Sequence, residues 1–159
     1  MGKCIFVTGT GTDIGKTYVT GLLVKKLRQS GRNAGYYKAA ISGAEKDSNG
    51  RLLAGDALYV NEQAGIGETQ ERLVSYVYEQ AVSPHLAARL NNRPIDFERV
   101  QTDFAAARGK YEYLTMEGSG GIICPLRWDE KEHVILDDLV KELGLSVLVI
   151  ADAGLGTIN

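Results

Sequence analysis

The sequence predicts an α/β fold of three layers, a mostly parallel sheet flanked by helices. Three observations carry that expectation. Short apolar runs at Lys3–Thr8 and Ser146–Ala151 have the composition of buried strands. Segments of helical period alternate with the strand-like runs instead of following them as a block. A glycine-rich stretch, Gly9 to Thr17, joins the first run to the first helical segment. Bulk composition agrees: 159 residues, 44% hydrophobic and 24% charged, suit one globular domain over 1–159 with a real core.

Taken in order, Lys3–Thr8 (KCIFVT) reads as a strand that ends at Gly9. A helix is predicted from Thr17 to about Gln29, with Val19, Leu22, Leu23, the stem of Lys26 and Leu27 near helical spacing and Gly31 as its stop. Ala34–Ala40 is a second strand, terminated by Lys38, and the glycine-bearing Ser42–Gly55 stretch is a long functional or mobile loop. Helical pattern resumes at Asp56 and continues through Leu58, Val60 and Ala64 to Gly65; Arg72–Tyr78 is an irregular or edge strand. Ser83-Pro84 supplies a cap and a first-turn proline, and Asp96-Phe97-Glu98 opens a further helix to about Arg108. Tyr111–Glu117 alternates and breaks at Gly118-Ser119-Gly120-Gly121; after a helix over Leu136–Leu143 comes Ser146–Ala151, and both strands are expected to be central. The final Ala153–Asn159 is a strand-to-loop exit with nothing returning to cover the sheet, so the C-terminal part of the fold is expected to be absent.

Charge and cysteine usage exclude several classes. Lys and Arg number 18 against 20 Asp and Glu, a formal charge of -2, which offers no bulk field for a nucleic acid. Cys4 and Cys124 stand far apart without a metal-site spacing, so they read as reduced, buried residues of a cytoplasmic protein. No apolar run approaches the roughly 18–20 residues of a membrane span. His85 reads as part of a capped first turn and His133, among charged neighbours, as a surface residue.

The chemistry concentrates in Gly9-Thr10-Gly11-Thr12-Asp13-Ile14-Gly15-Lys16-Thr17. Between a strand and a helix, backbone amides and a helix N-terminus together attract an anion. Against the phosphate-loop pattern G-x-x-x-x-G-K-[ST], Gly15, Lys16 and Thr17 match, while the first glycine falls at Thr10 and is displaced to Gly9 or Gly11. In such a P-loop NTPase-like arrangement Lys16 lies along the β- and γ-phosphates and Thr17 Oγ ligates Mg²⁺. Glu117, at the carboxyl edge of a strand, is placed to complete a Mg²⁺ shell or stands as a solvated strand-end carboxylate. Asp56 serves equally as a helix cap. Lys38 offers a second cation for a transferred phosphoryl group, although a solvated strand-end lysine is the plainer reading, and Ser42 is by composition a turn residue.

Together these segments resemble the dethiobiotin synthetase family, ATP-dependent enzymes of biotin biosynthesis. The resemblance runs through nearly the whole chain. It is carried by Phe6-Val7-Thr8-Gly9-Thr10 with Gly15-Lys16-Thr17, Tyr37-Lys38 with Ser42-Gly43, Asp56-Ala57-Leu58, Ser83-Pro84-His85, Glu117-Gly118-Ser119-Gly120-Gly121 and Pro125-Leu126. The family's phosphate loop, expanded by one residue, accounts for the displaced glycine. The resemblance implies that Thr17, Asp56 and Glu117 hold Mg²⁺, that Asp13, Ile14, Gly15, Lys16, Thr17 and Tyr18 with Glu117, Gly118, Ser119 and Gly120 line the ATP site, that Lys38 joins Lys16 as a catalytic lysine, and that Ser42 contacts the diamine 7,8-diaminononanoate. It implies a reaction in which CO₂ is captured as a carbamate, the carbamate attacks the γ-phosphate to give a carbamic-phosphoric anhydride, and the second amine closes the ureido ring with loss of phosphate. It also implies a homodimer, and a family length that continues beyond Asn159 with the adenine-contacting segment. Gly11 stands where an aspartate is common in the family and Ala39 where a proline is, and both changes leave the ligating residues intact.

Three other readings compete. A cobyrinate-type amide-forming synthetase shares the phosphate-loop fold and differs in substrate. A partitioning-type switch ATPase carries an additional lysine early in the loop, and Gly9–Ile14 contains none. A noncatalytic nucleotide-binding remnant is the third.

Overall fold

The computed structural model describes residues 2–154; within the expected C-terminal exit, 155–159 lie outside the described residues. The opening run folds as β1 (Lys3–Gly9), whose inward Phe6 and Val7 are fully buried. After the glycine-rich loop come α1 (Lys16–Gln29) and β2 (Ala34–Ile41), a strand buried along its whole length. The stretch expected to be a plain loop contains a small antiparallel hairpin, β3 (Glu45–Lys46) with β4 (Leu52–Leu53), followed by α2 (Gly55–Ala64). Arg72–Tyr78 divides into the end of a one-turn helix, α3 (Gln70–Leu73), and β5 (Val74–Val77). Two further helices are α4 (Pro84–Leu90) and α5 (Phe97–Lys110). Asp96 caps α5 by accepting from the Glu98 amide at 3.0 Å, whereas Ser83 stands before α4 without a side-chain capping bond. The chain then forms β6 (Tyr113–Gly121), the hairpin β7 (Pro125–Trp128) with β8 (His133–Ile135), α6 (Leu136–Glu142) and β9 (Ser146–Ile150).

Five strands form one parallel sheet in the order β5-β2-β6-β1-β9. Connections from β1 run to β2 on one side and, later, β9 pairs on the other, so the strand order switches direction at β1. The carboxyl ends of strands at such a switch open a crevice where ligands bind in α/β sheets. On one face α1 and α2 bury Val24, Tyr36, Ala57, Val60 and Leu73 in a common cluster. On the other, α4, α5 and α6 cover Tyr37, Tyr76, Val100, Phe104, Met116 and Leu139. Adjacent tyrosines 36 and 37 thus enter opposite cores, as strand alternation requires.

Several expectations are corrected. Central position holds for β6 but not for β9, which is an edge strand among the described residues, with Val147 and Val149 exposed. β6 extends to Gly121, but its regular register is interrupted over the glycines: pairing with β2 ends at Glu117, and against β1 the register shifts before Gly9 meets Gly121. The β7–β8 hairpin was not expected; it forms as Pro125 and Leu126 lead out of a turn closed by the Cys124 amide on the Gly121 carbonyl at 3.0 Å, and β7 packs against α4. Lys38 lies within β2, three residues before its end. The buried stripe of α1 is Lys16, Thr20, Gly21 and Val24, while Leu22 is exposed and Val19, Leu23 and Leu27 only half-buried. Close packing of α1 on α2 explains the difference. Tyr59 of α2 lies against Gly21, and a small residue lets the helices approach where a leucine would hold them apart. Both cysteines are free and half-buried rather than fully buried.

Candidate active site

The loop between β1 and α1 folds back on itself because Gly9 has no side chain: a Cβ there would sit 2.2 Å from Ile14 Cδ1. Asp13 at φ 59 and Gly15 at φ 91 then turn the backbone through left-handed conformations onto the first turn of α1. Gly15 is the N-cap of that helix and makes no side-chain capping bond. The first-turn amides, which no helical carbonyl can satisfy, face a concave backbone suited to an anion.

Lys16 is 7% exposed and reaches back over the loop, its Nζ donating to the Gly11 carbonyl at 2.5 Å. Burial, and after it the neighbouring charge of Lys38, hold its ammonium below the ordinary lysine value. Lys38 has the opposite balance. It is 4% exposed, and burial works against its charge, yet Glu117 and Asp56 outweigh that and keep it above the ordinary value. Its Nζ donates to Glu117 Oε1 at 2.9 Å and to Asp56 Oδ2.

Glu117 stands directly between Val7 of β1 and Lys38 of β2 in the sheet register. It is fully buried, so it is not the solvated carboxylate of the plainer reading. Thr17 Oγ1 donates to Glu117 Oε1 at 2.8 Å, and the fully buried Tyr36 donates its phenol to Oε2 at 3.2 Å. Burial, followed by the Glu117 charge, raises that phenol well above its ordinary value. Asp56 lies inside the first turn of α2, whose N-cap is Ala54, so capping does not account for it. Burial alone would raise its carboxyl, but the charge of Lys38 and its hydrogen bond hold it below the ordinary value.

These groups line one cleft of about 870 Å³. Of the residues singled out in the sequence, Asp13, Gly15, Lys16, Thr17, Lys38, Ser42, Asp56, Glu117, Ser119 and Gly120 border it. Ile14, Tyr18 and Gly118 do not: Ile14 folds onto Gly9, Tyr18 points outward at 58% exposure, and Gly118 packs against the Phe6 ring. Sequence reasoning missed the apolar wall of Ile41, Val82 and Pro84, and it missed Tyr36, which stands behind the cleft on Glu117. The signal for Tyr36 was present, since it precedes Lys38 by two residues on the same strand face.

The donor set fits a hard divalent cation. Two carboxylates and a hydroxyl surround a position that the Lys38 ammonium already approaches from the side, and hard oxygens are what Mg²⁺ takes. Among the described residues no three His, Cys, Asp or Glu gather to hold a metal by themselves.

Comparison with known proteins gives the family of the chain. A family model described as an AAA domain matches residues 3–159. The ATP-dependent dethiobiotin synthetase BioD of Clostridium botulinum (strain Langeland / NCTC 10281 / Type F) is 55% identical over 159 residues, which is 100% of this chain and 69% of that protein. Proteins of the same name from strains 657 / Type Ba4 and Eklund 17B / Type B are 56% and 50% identical over the same shares.

Proposed function

The chain belongs to the ATP-dependent dethiobiotin synthetase family, and on that premise we propose how the cleft divides the work of the reaction. The protein is an ATP-dependent ligase of biotin biosynthesis; the relatives favour neither the partitioning-type switch nor the cobyrinate-type synthetase. The loop amides, Lys16 and Thr17 cradle the terminal phosphates of ATP. Lys38 lies beside the transferred phosphoryl group. Ser42 and the apolar wall of Ile41, Val82 and Pro84 receive 7,8-diaminononanoate, whose methylene chain suits such a surface. Thr17, Asp56 and Glu117 would hold Mg²⁺, which would supply positive charge at the phosphate oxygens.

The chemistry demands this concentration of cations. A carbamate formed from one amine and CO₂ must attack the γ-phosphorus while ADP departs, which brings two anions into contact. Lys16 and Lys38 offset that repulsion and hold the reacting atoms in line. The second amine then attacks the anhydride carbonyl, the ureido ring closes and inorganic phosphate leaves. The observation that carries the reading is the pair of buried ammonium groups, one on the phosphate loop and one on the next strand, facing a single cleft.

The test is to follow phosphate release and to detect dethiobiotin by mass after mixing the protein with Mg²⁺, ATP, bicarbonate and the diamine. Release should require all four. Equal ATPase rates without the diamine, with no dethiobiotin formed, would refute the reading. The protein is further proposed to work as a homodimer in the cytoplasm. Tyr18 and Leu22, exposed one turn apart on α1, support the first part, which light scattering tests directly.

A further inference from the structure

We infer that Tyr36 is a positioning residue for the metal site proposed above, fixing the rotation of the Glu117 carboxylate so that one oxygen faces the cleft. The inference rests on the reading of Glu117 and Thr17 as holders of the cation.

The terminal torsion of a glutamate is broad and roughly two-fold, so burial alone does not decide which oxygen faces where. In this structure the two oxygens have different partners. Oε1 accepts from Thr17 at 2.8 Å and from Lys38 at 2.9 Å, both of them groups assigned to ligand and cation. Oε2 accepts from Tyr36 at 3.2 Å, its one side-chain donor among the described residues. When nucleotide and cation draw on Thr17 and Lys38, the phenol is the anchor that remains. Its own position is rigid, because the ring is fully buried in the cluster that also holds Val24, Ala57 and Val60. Tyr36 therefore touches neither substrate nor cation and acts through the carboxylate. Partners of this kind, behind a metal-ligating carboxylate, are worth about 10–100-fold in metal affinity or activity.

Tyr36→Phe removes the hydroxyl and keeps the ring. With Mn²⁺ as the probe and ADP present, electron paramagnetic resonance of the free ion should show affinity at least about tenfold weaker than in the unaltered protein. Turnover should need correspondingly more Mg²⁺ and recover towards the unaltered kcat when Mg²⁺ is saturating. Tyr37→Phe is the control. That phenol bonds Ser75 at 2.6 Å and the Val100 carbonyl at 3.1 Å on the opposite face, so its loss should lower the melting temperature without weakening Mn²⁺ binding. Mn²⁺ affinity in Tyr36→Phe within twofold of the unaltered protein would overturn the inference while leaving the site reading intact. Failure of the unaltered protein to bind Mn²⁺ would overturn both. A second variant keeps the test independent of folding. In Glu117→Asp the shortened carboxylate withdraws from the phenol, so adding Tyr36→Phe should change Mn²⁺ affinity by less than twofold; a full further tenfold loss would also overturn it.

Discussion

Replacing Lys38 by methionine keeps the length of the side chain and removes its charge from a contact that the folded protein buries almost entirely. The loss can be sized from the geometry. Across 2.9 Å to Glu117, Coulomb attraction at an effective dielectric of about 20 is on the order of 6 kcal/mol. Desolvation of both groups offsets part of that. The side chain of Glu117 is 0% exposed, so the variant leaves a buried carboxylate without its counter-charge, the situation that costs about 3–5 kcal/mol when a buried pair is broken. Asp56, with its side chain 42% exposed, is rehydrated by solvent and adds little. For a chain of this length that corresponds to a fall in Tm of roughly 6–20 °C. Urea denaturation followed by circular dichroism measures it, and a midpoint that moves at unchanged slope identifies a stability effect. Lys38→Met combined with Glu117→Gln should recover most of the loss, since the orphan charge is then gone. A single variant within about 0.5 kcal/mol of the unaltered protein, the size expected of a surface substitution, would refute the argument and return Lys38 to a solvated lysine.

Lys16 is predicted to behave in the opposite way. Its folded-state value is depressed, so the unfolded chain holds more protons between the two values, and the charged ammonium costs stability at neutral pH that is relieved as pH rises. Lys16→Met should leave Tm unchanged or raised while lowering kcat by about 10²–10³-fold, a separation that melting and steady-state assays together establish. Asp56 is depressed as well, but as an acid: its contribution is complete above about pH 4 and is lost as pH falls through its lower folded value, so Asp56→Asn should lower the neutral plateau of a stability–pH curve modestly, flatten its acid limb, and converge with the unaltered protein at low pH. Gly35→Ala would put a Cβ 2.3 Å from the Tyr111 ring and should cost about 1–3 kcal/mol in urea unfolding, with no change in KM for ATP.

What was legible in the sequence was local. A β-branched run ending at Gly9, then Gly15-Lys16-Thr17, fixes a strand, a turn and a helix start within a few residues, and the structure has all three there. Asp96 before Phe97 marked a helix N-terminus, and its carboxylate makes the capping bond. What was illegible was long-range. Lys38 and Glu117 are 79 residues apart, and nothing in either segment says that their strands are neighbours with those two residues in register. That pairing turns two apparent strand-end residues into a buried pair. The α1 face was misread for a related reason, since the helix buries Gly21 against Tyr59 and presents Leu22 outward, a choice made by the partner helix rather than by hydrophobic period.

On the proposed reading, the two lysines account for a divalent cation in this cleft. Lys16, Lys38, Asp56 and Glu117 carry two positive and two negative charges, so the group is neutral as it stands. Within it Lys38 is spent on carboxylates, whereas Lys16, among the described residues, donates to a backbone carbonyl alone. On the proposed reading a triphosphate would meet one ammonium without a carboxylate partner and a row of amides, too little for its charge. A cation held between Asp56 and Glu117 would draw on the same oxygens as the Lys38 ammonium. Whatever share it took would both add positive charge and free Lys38 to face phosphate. On the proposed reading, the carboxylates that look, in isolation, like an odd lining for an anion site would be the means by which its second lysine is held in reserve.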